Sequence, residues 1–231
     1  MSDAREAALD ASWRTNAQAW TRAVREQRIA SRRAGTDAAI VAAVLGLKPM
    51  RVLDAGCGEG WLARALAAHG IDVAGIDASP ELIASANAAG GARFLVAGYA
   101  DLAAHAHALD GFDVVVCNFA LFAEDLNATL LALRDRLADG GRLLVQTVHP
   151  WVACGDAPYR DGWRTETFAG FGDEFSAQMP WYFRTLASWF GVLVAAGFAI
   201  ERCEEPVDPT SGRPLSLMIQ ARAESAQMPP R

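Results

Sequence analysis

The stretch VLDAGCGEG, Val52 to Gly60, decides how this chain is read. Val52 and Leu53 belong to a short buried strand, Asp54 stands near its end, and glycines follow at 56, 58 and 60. Glycine tolerates positive φ and lets a ligand approach the backbone without meeting a Cβ. A helix opening directly behind the turn aims its free N–H groups back at whatever the turn holds. A pyrophosphate and a carboxylate would both satisfy that arrangement. Two acids narrow the choice. Asp54, two residues before Gly56, would repel a pyrophosphate and suits an ammonium group or backbone N–H donors. Asp77 ends the next strand, about 20 residues on, where a carboxylate can take both ribose hydroxyls. Together they fit a ligand with a ribose and an amino-acid head and no diphosphate.

Outward from this turn, strand and helix patterns alternate. RVLDAG, DVAGIDAS, RFLVAGY, FDVVVCNFA and RLLVQTVHP read as strands, and FDVVVCNFA is apolar enough to be covered on both faces. Between them lie a helix from Trp61 to a glycine stop at Gly70, a second opened by Ser79 and Pro80, and a third over 125–138. This alternation predicts an α/β fold with a doubly wound, mostly parallel sheet. FAIERCEEP and PLSLMIQARA add two strands, to seven in all, and their short turn-rich link makes them antiparallel, the last strand running against the rest.

The predicted organisation is a single domain over 1–231: an N-terminal helical cap (1–48), a cofactor-binding core (51–149), an irregular lid (150–180), and a helix with the antiparallel pair (181–222). In the cap, Trp13, Ala17, Trp20 and Val24 recur at helical spacing. The lid has no clear period and is rich in glycine, aromatics and charge, as expected of a functional loop.

Composition excludes several classes. The 231 residues carry a net charge of −6, a poor default for nucleic acid. No apolar run reaches the roughly 20 residues of a membrane helix, and the polar N-terminus is unlike a signal peptide. Cys57, Cys117, Cys154 and Cys203 are scattered, which suggests reduced thiols in a cytoplasmic protein without a metal site. Lys48 is the sole lysine, and arginine and alanine abound, as in a GC-rich bacterial genome. The arginines at 22, 25, 28, 32 and 33 read as a solvated helix face.

VLDAGCGEG, GIDAS, AGYADL, FDVVVCNFALF and LADGGRLLVQTVHP, taken jointly, resemble the class I S-adenosylmethionine-dependent methyltransferases, with their Rossmann-like sheet. The resemblance covers Arg51 to Pro150. It implies that Asp54, Ala55, Gly56, Cys57 and Gly58 surround the methionine moiety, and that Asp77 and Ala78 hold the ribose. It implies that Tyr99 and Ala100 meet the adenine, and that Asn118 and Phe119 lie below the sulfonium. Many relatives have an acid where Tyr99 stands, so the backbone or Asp101 would have to receive the adenine amino group. Asn118 is followed by Phe119, Ala120 and Leu121 without prolines, which disfavours the methyltransferases of bases and protein amides.

The expected cofactor is therefore S-adenosylmethionine, released as S-adenosylhomocysteine, with a small-molecule acceptor. A module that binds the cofactor without transfer, or a methyltransferase of a macromolecule, is the alternative; an acceptor-sized cavity separates transfer from binding alone. A nicotinamide oxidoreductase would lack Asp54. His149, at the carboxyl end of the fifth strand, is the candidate general base. Trp151, Tyr159, Trp163 and Tyr182 are the candidate acceptor contacts, in a lid that also offers Phe168, Phe171 and Phe175. Trp20, Arg33 and Trp61 are placed to border the cofactor.

Overall fold

A computed structural model describes residues 2–224. In chain order the elements are α1 (Ser2–Arg25), a π-turn (Arg32–Thr36), α2 (Asp37–Gly46), β1 (Arg51–Ala55), α3 (Trp61–Ala67), β2 (Asp72–Asp77), α4 (Pro80–Ala89), β3 (Arg93–Val96) and a 3₁₀ turn (Tyr99–Asp101). There follow β4 (Phe112–Asn118), α5 (Asn127–Arg134), β5 (Leu137–Val148), α6 (Pro150–Cys154), β6 (Gly162–Glu166), β7 (Met179–Phe183), α7 (Leu186–Ala195), β8 (Phe198–Glu204) and β9 (Ser216–Ala223). The main sheet has seven strands in the order β3-β2-β1-β4-β5-β9-β8, and β9 runs antiparallel to both its neighbours. This is the doubly wound sheet the sequence predicts.

Alternation along the strands sends side chains to two separate cores. Val115 and Cys117 of β4 face one core with Leu130 and Leu133 of α5 and Trp189 and Leu193 of α7. Val114 and Val116 face the other, with Val44 of α2, Leu66 of α3 and Ile83 of α4. Asp113 fastens the edge of this arrangement: its Oδ2 accepts the backbone N–H groups of Met50 and Arg51 at 2.8 and 2.9 Å. Strand order reverses at β1, which has β2 on one side and β4 on the other, and doubly wound sheets open their ligand crevice at such a point.

Three element boundaries differ from the sequence reading. The helix expected over 125–138 ends at Arg134, and β5 starts at Leu137. The Gly140–Gly141 pair sits inside this strand, where the β4–β5 register shifts. A Cβ on Gly141 would stand 2.9 Å from the Ala138 carbonyl oxygen, so the residue marks a close backbone approach and not a helix stop. The expected lid is not irregular throughout. It contains α6 and a hairpin of β6 and β7. The helix expected from Trp181 begins at Leu186, where Thr185 Oγ1 accepts the Ser188 N–H at 3.2 Å. MPWYF, rich in aromatics, is strand β7 instead.

Candidate active site

A cavity of about 540 Å³ lies across the carboxyl ends of β1, β2, β3 and β4, within the range of small-molecule sites, roughly 300–1,000 Å³. Its floor is the glycine turn. Gly56 has φ +80°, and a Cβ there would stand 2.5 Å from Ala120 Cβ and 2.9 Å from the Tyr99 hydroxyl. Only glycine fits. The Tyr99 hydroxyl donates to the Ala120 carbonyl at 3.2 Å, so the ring braces the β1 and β4 ends from beneath. Burial pushes its phenol well above the usual range.

Asp77 closes the turn from the side. Its Oδ2 accepts the Gly58 N–H and its Oδ1 the Ser79 N–H, both at 2.9 Å. A carboxylate has about four lone-pair positions, so two remain for donors in the cavity that Asp77 lines. Burial raises its pKa against the pull of those two N–H groups. Asp54 is buried behind the turn, and its Oδ2 has no partner. Burial, then the nearby Asp77 charge, raises its pKa to about 7.

The roof comes from α1, the hairpin and the loop between its strands. Asn16, buried on α1, donates through Nδ2 to the Ala177 carbonyl at 2.7 Å. Its Oδ1 accepts the N–H groups of Ser176 and Ala177 at 3.1 and 3.3 Å. Arg22 and Arg28 reach Glu174 of the same loop at 2.8 and 3.4 Å. Between roof and floor stand Trp13, Phe122, Phe168, Met179 and Trp181, an apolar, largely aromatic compartment. Glu6, Asp10 and Glu166 also line the cavity.

Of the expected cofactor residues, Gly56, Cys57, Gly58, Asp77, Ala78, Tyr99, Ala100, Asn118 and Phe119 line this cavity. Asp54 and Ala55 lie behind it. Asp101 caps its own turn, accepting the Gly98 N–H at 2.9 Å. Trp20 and Trp61 are on the wall, but Arg33 is exposed and bonds the Gln27 carbonyl, while its neighbour Arg32 takes the place on the wall.

The expected base and acceptor contacts are elsewhere. His149 is not among the residues that line the cavity, and its Nε2 lies 2.6 Å from Glu205 Oε1. Trp163 and Tyr182 are paired across the hairpin on its other face, rings 5.6 Å apart, with Trp163 Nε1 donating to Glu124 at 3.0 Å. The alternation of a strand explains this: Glu166, Met179 and Trp181 share the cavity face, and Trp163 and Tyr182 fall opposite. Tyr159 accepts the Leu186 N–H at 2.9 Å and packs against Trp151, whose side chain is exposed. Trp13 and Phe122 also stand on the wall, where the sequence reading does not place them. Their signal was weak, because an aromatic at helical spacing or after a strand reads first as core.

Of the arginines clustered near the N-terminus, Arg22, Arg25, Arg28 and Arg32 are tied into ion pairs. Besides Arg22 and Arg28, Arg25 reaches the buried Glu59 at 2.8 Å, and Arg32 reaches Asp37 at 2.8 Å. Among the described residues, no helix is long and apolar enough to cross a membrane.

Residues 25–202 match the family model described as a methyltransferase domain. The chain belongs to that family. Its fold is that of the class I S-adenosylmethionine-dependent methyltransferases, and S-adenosylmethionine is the family's cofactor. A methyltransferase of this kind from Mesorhizobium loti superposes with a TM-score of 0.56 at 25% identity, over 78% of this chain and 95% of that one. The 1,6-didemethyltoxoflavin-N1-methyltransferase of Burkholderia thailandensis, solved with S-adenosylhomocysteine bound, gives 0.63 at 20% identity, over 97% and 91%. In sequence, the ubiquinone biosynthesis O-methyltransferase of Xylella fastidiosa is 37% identical over 113 residues, 46% of this chain and 45% of that protein. The Aeromonas salmonicida protein of the same name is 32% identical over 108 residues, 45% of each. The chain thus spans about half the length of the curated relatives it matches.

The residues fit the family's cofactor. Bare glycine backbone along the floor, and an Asp77 carboxylate that lines the cavity with two acceptor positions left, are what an adenosyl amino acid with ribose hydroxyls requires.

Proposed function

We propose that this protein transfers a methyl group from S-adenosylmethionine, in line, to a small apolar or flat acceptor in the cytoplasm. One observation carries the reading: a single cavity runs from the glycine turn and Asp77 to the compartment of Trp13, Phe122, Phe168 and Trp181. A binding module would have no use for the second half. The names of the O-methyltransferase relatives, which belong to a biosynthesis of small molecules, support the acceptor class.

When bound, the cofactor supplies a methyl group on a positively charged sulfur, a good leaving group. The chain supplies position. Gly56, Cys57 and Gly58 admit the amino-acid end, with Asp54 and Ala55 behind them. Asp77 and Ala78 receive the ribose hydroxyls, and Tyr99 and Ala100 border the base. Asn118 and Phe119 line the cavity at the end of β4, below the sulfonium in this reading. The aromatic roof holds the acceptor and excludes water, which is how displacement at a sulfonium gains most of its rate. An acceptor that arrives protonated needs a base. The carboxylates on the wall, Glu6, Asp10 and Glu166, are better placed for this than His149.

Calorimetric titration with S-adenosylmethionine and S-adenosylhomocysteine tests the reading, with Asp77→Ala beside the native chain. Micromolar binding that the variant loses, followed by turnover in a screen of small aromatic acceptors, is the expected outcome. A folded native chain that binds neither compound would overturn it.

A further inference from the structure

The charges on the cavity wall are mostly negative. Along α1, Glu6, Asp10 and Trp13 follow one another at steps of four and three, so they share a stripe of the helix, and all three line the cavity. Asp10 acts on Asp77, at the cofactor end. Glu166 stands among the rings, on the hairpin face it shares with Met179 and Trp181. Among the described residues, the cations on the wall are Arg14 and Arg32, and both are engaged elsewhere. Arg14 is exposed and acts on Glu81 of α4. Arg32 donates through Nε to Asp37 at 2.8 Å and lies 4.3 Å over the ring of Trp61, beside the glycine turn.

Glu166 is built into the aromatic compartment. Its Oε1 accepts the Phe168 N–H at 2.6 Å, and the buried Phe168 ring stands 6.3 Å from that of Trp13. Phe168 has φ +58°, which a residue with a side chain adopts at a cost. One carboxylate oxygen therefore fixes a ring of the compartment. The other, Oε2, has no hydrogen bond or ion pair among the described residues. Aromatic faces attract a cation, and a carboxylate with acceptor positions left completes such a site. An anionic acceptor would be repelled by Glu166. A neutral apolar one would strip water from Oε2 and give no bond in return.

We propose that the methyl acceptor is a flat aromatic molecule carrying a positively charged amino group, with its ring among Trp13, Phe122, Phe168 and Trp181 and its ammonium on Glu166. The inference rests on the methyl-transfer reading above and names the class of its acceptor. The rings set the shape that is admitted, and Glu166 sets the charge.

The test uses matched pairs of small aromatics that differ in one group: tyramine with 4-hydroxyphenethyl alcohol, and tryptamine with tryptophol. Each is titrated into native, Glu166→Gln and Trp181→Ala chain saturated with S-adenosylhomocysteine. Glu166→Gln keeps an oxygen for the Phe168 N–H and removes the charge; its affinity for S-adenosylhomocysteine shows that it is folded. In the native chain each amine should bind roughly ten-fold or more tighter than its alcohol, as a charged hydrogen bond predicts. In Glu166→Gln the preference should shrink to within about two-fold, through loss of amine affinity alone. Trp181→Ala should weaken amine and alcohol alike. Alcohols that bind as well as amines, a preference that survives Glu166→Gln, or no amine bound by native chain that holds S-adenosylhomocysteine, overturns the inference. Native chain that does not bind S-adenosylhomocysteine overturns the methyl-transfer reading itself, and the inference with it.

Discussion

At the floor of the cavity Gly56 leaves no room for one added carbon between Ala120 and Tyr99, while at the roof Trp13, Phe122 and Trp181 meet as rings 6.2 and 6.4 Å apart. The floor is specified by backbone: a positive φ, a strand end, N–H groups bound by Asp77. The roof is specified by side chains from segments far apart in sequence. A floor of that kind suits an invariant ligand and tolerates no change. A roof of rings can be recut residue by residue without disturbing the sheet, which suits an acceptor that differs between relatives.

Gly56→Ala strikes this contrast hardest. The φ of +80° alone costs a non-glycine residue about 1–2 kcal/mol, and the clash with Ala120 adds to it. Binding of S-adenosylhomocysteine should fall by about a hundred-fold or more on calorimetry, with a lower denaturation midpoint. Native affinity in this variant would mean that the floor yields as easily as the roof.

A middle effect divides the two faces of the hairpin. Trp181→Ala should raise the acceptor KM by roughly three- to ten-fold, the worth of a lost aromatic contact, and leave cofactor affinity unchanged. Trp163→Ala, on the opposite face, should leave both unchanged. Reversed behaviour of the pair would restore Trp163 as an acceptor contact and overturn the strand alternation of the hairpin.

The gentlest test changes ligand contacts least. Folded, Asp54 keeps its proton up to about pH 7; unfolded, it loses it near the ordinary carboxyl value of 3.8. Between these values the folded chain binds the extra proton, so this group's stabilising effect is full below pH 3.8, declines as pH rises to about 7, and is level above. Asp54→Asn cannot titrate. Its denaturation midpoint, relative to the native chain, should be higher at about pH 8 than at about pH 5. Parallel profiles would show that Asp54 is not the buried, proton-holding group of the floor.

The floor could be read from sequence because each of its parts is local. Three alternate glycines, an acid before them and an acid at the next strand end are each a signal within a few residues, and the structure sets Gly56, Gly58 and Asp77 around one cavity. The roof could not. Whether Trp181 or Tyr182 faces inward depends on whether MPWYF is helix or strand, and both readings fit five aromatic-rich residues. Arg32 and Arg33 are neighbours in a segment whose phase the π-turn resets, so helical counting could not choose between them. His149 sits where doubly wound folds place ligands, but its ring turns to Glu205, a residue 56 positions away whose approach no local pattern records.

Asn16 carries a consequence for how such proteins diverge. Because its one amide both donates to the Ala177 carbonyl and accepts the N–H groups of Ser176 and Ala177, α1 and the hairpin loop are matched parts, although these residues are separated by 160 and 161 positions in the sequence. A chimera that takes α1 from one relative and the loop from another inherits a lock without its key. A new specificity is therefore transplanted whole, by exchanging both segments together over an unaltered sheet.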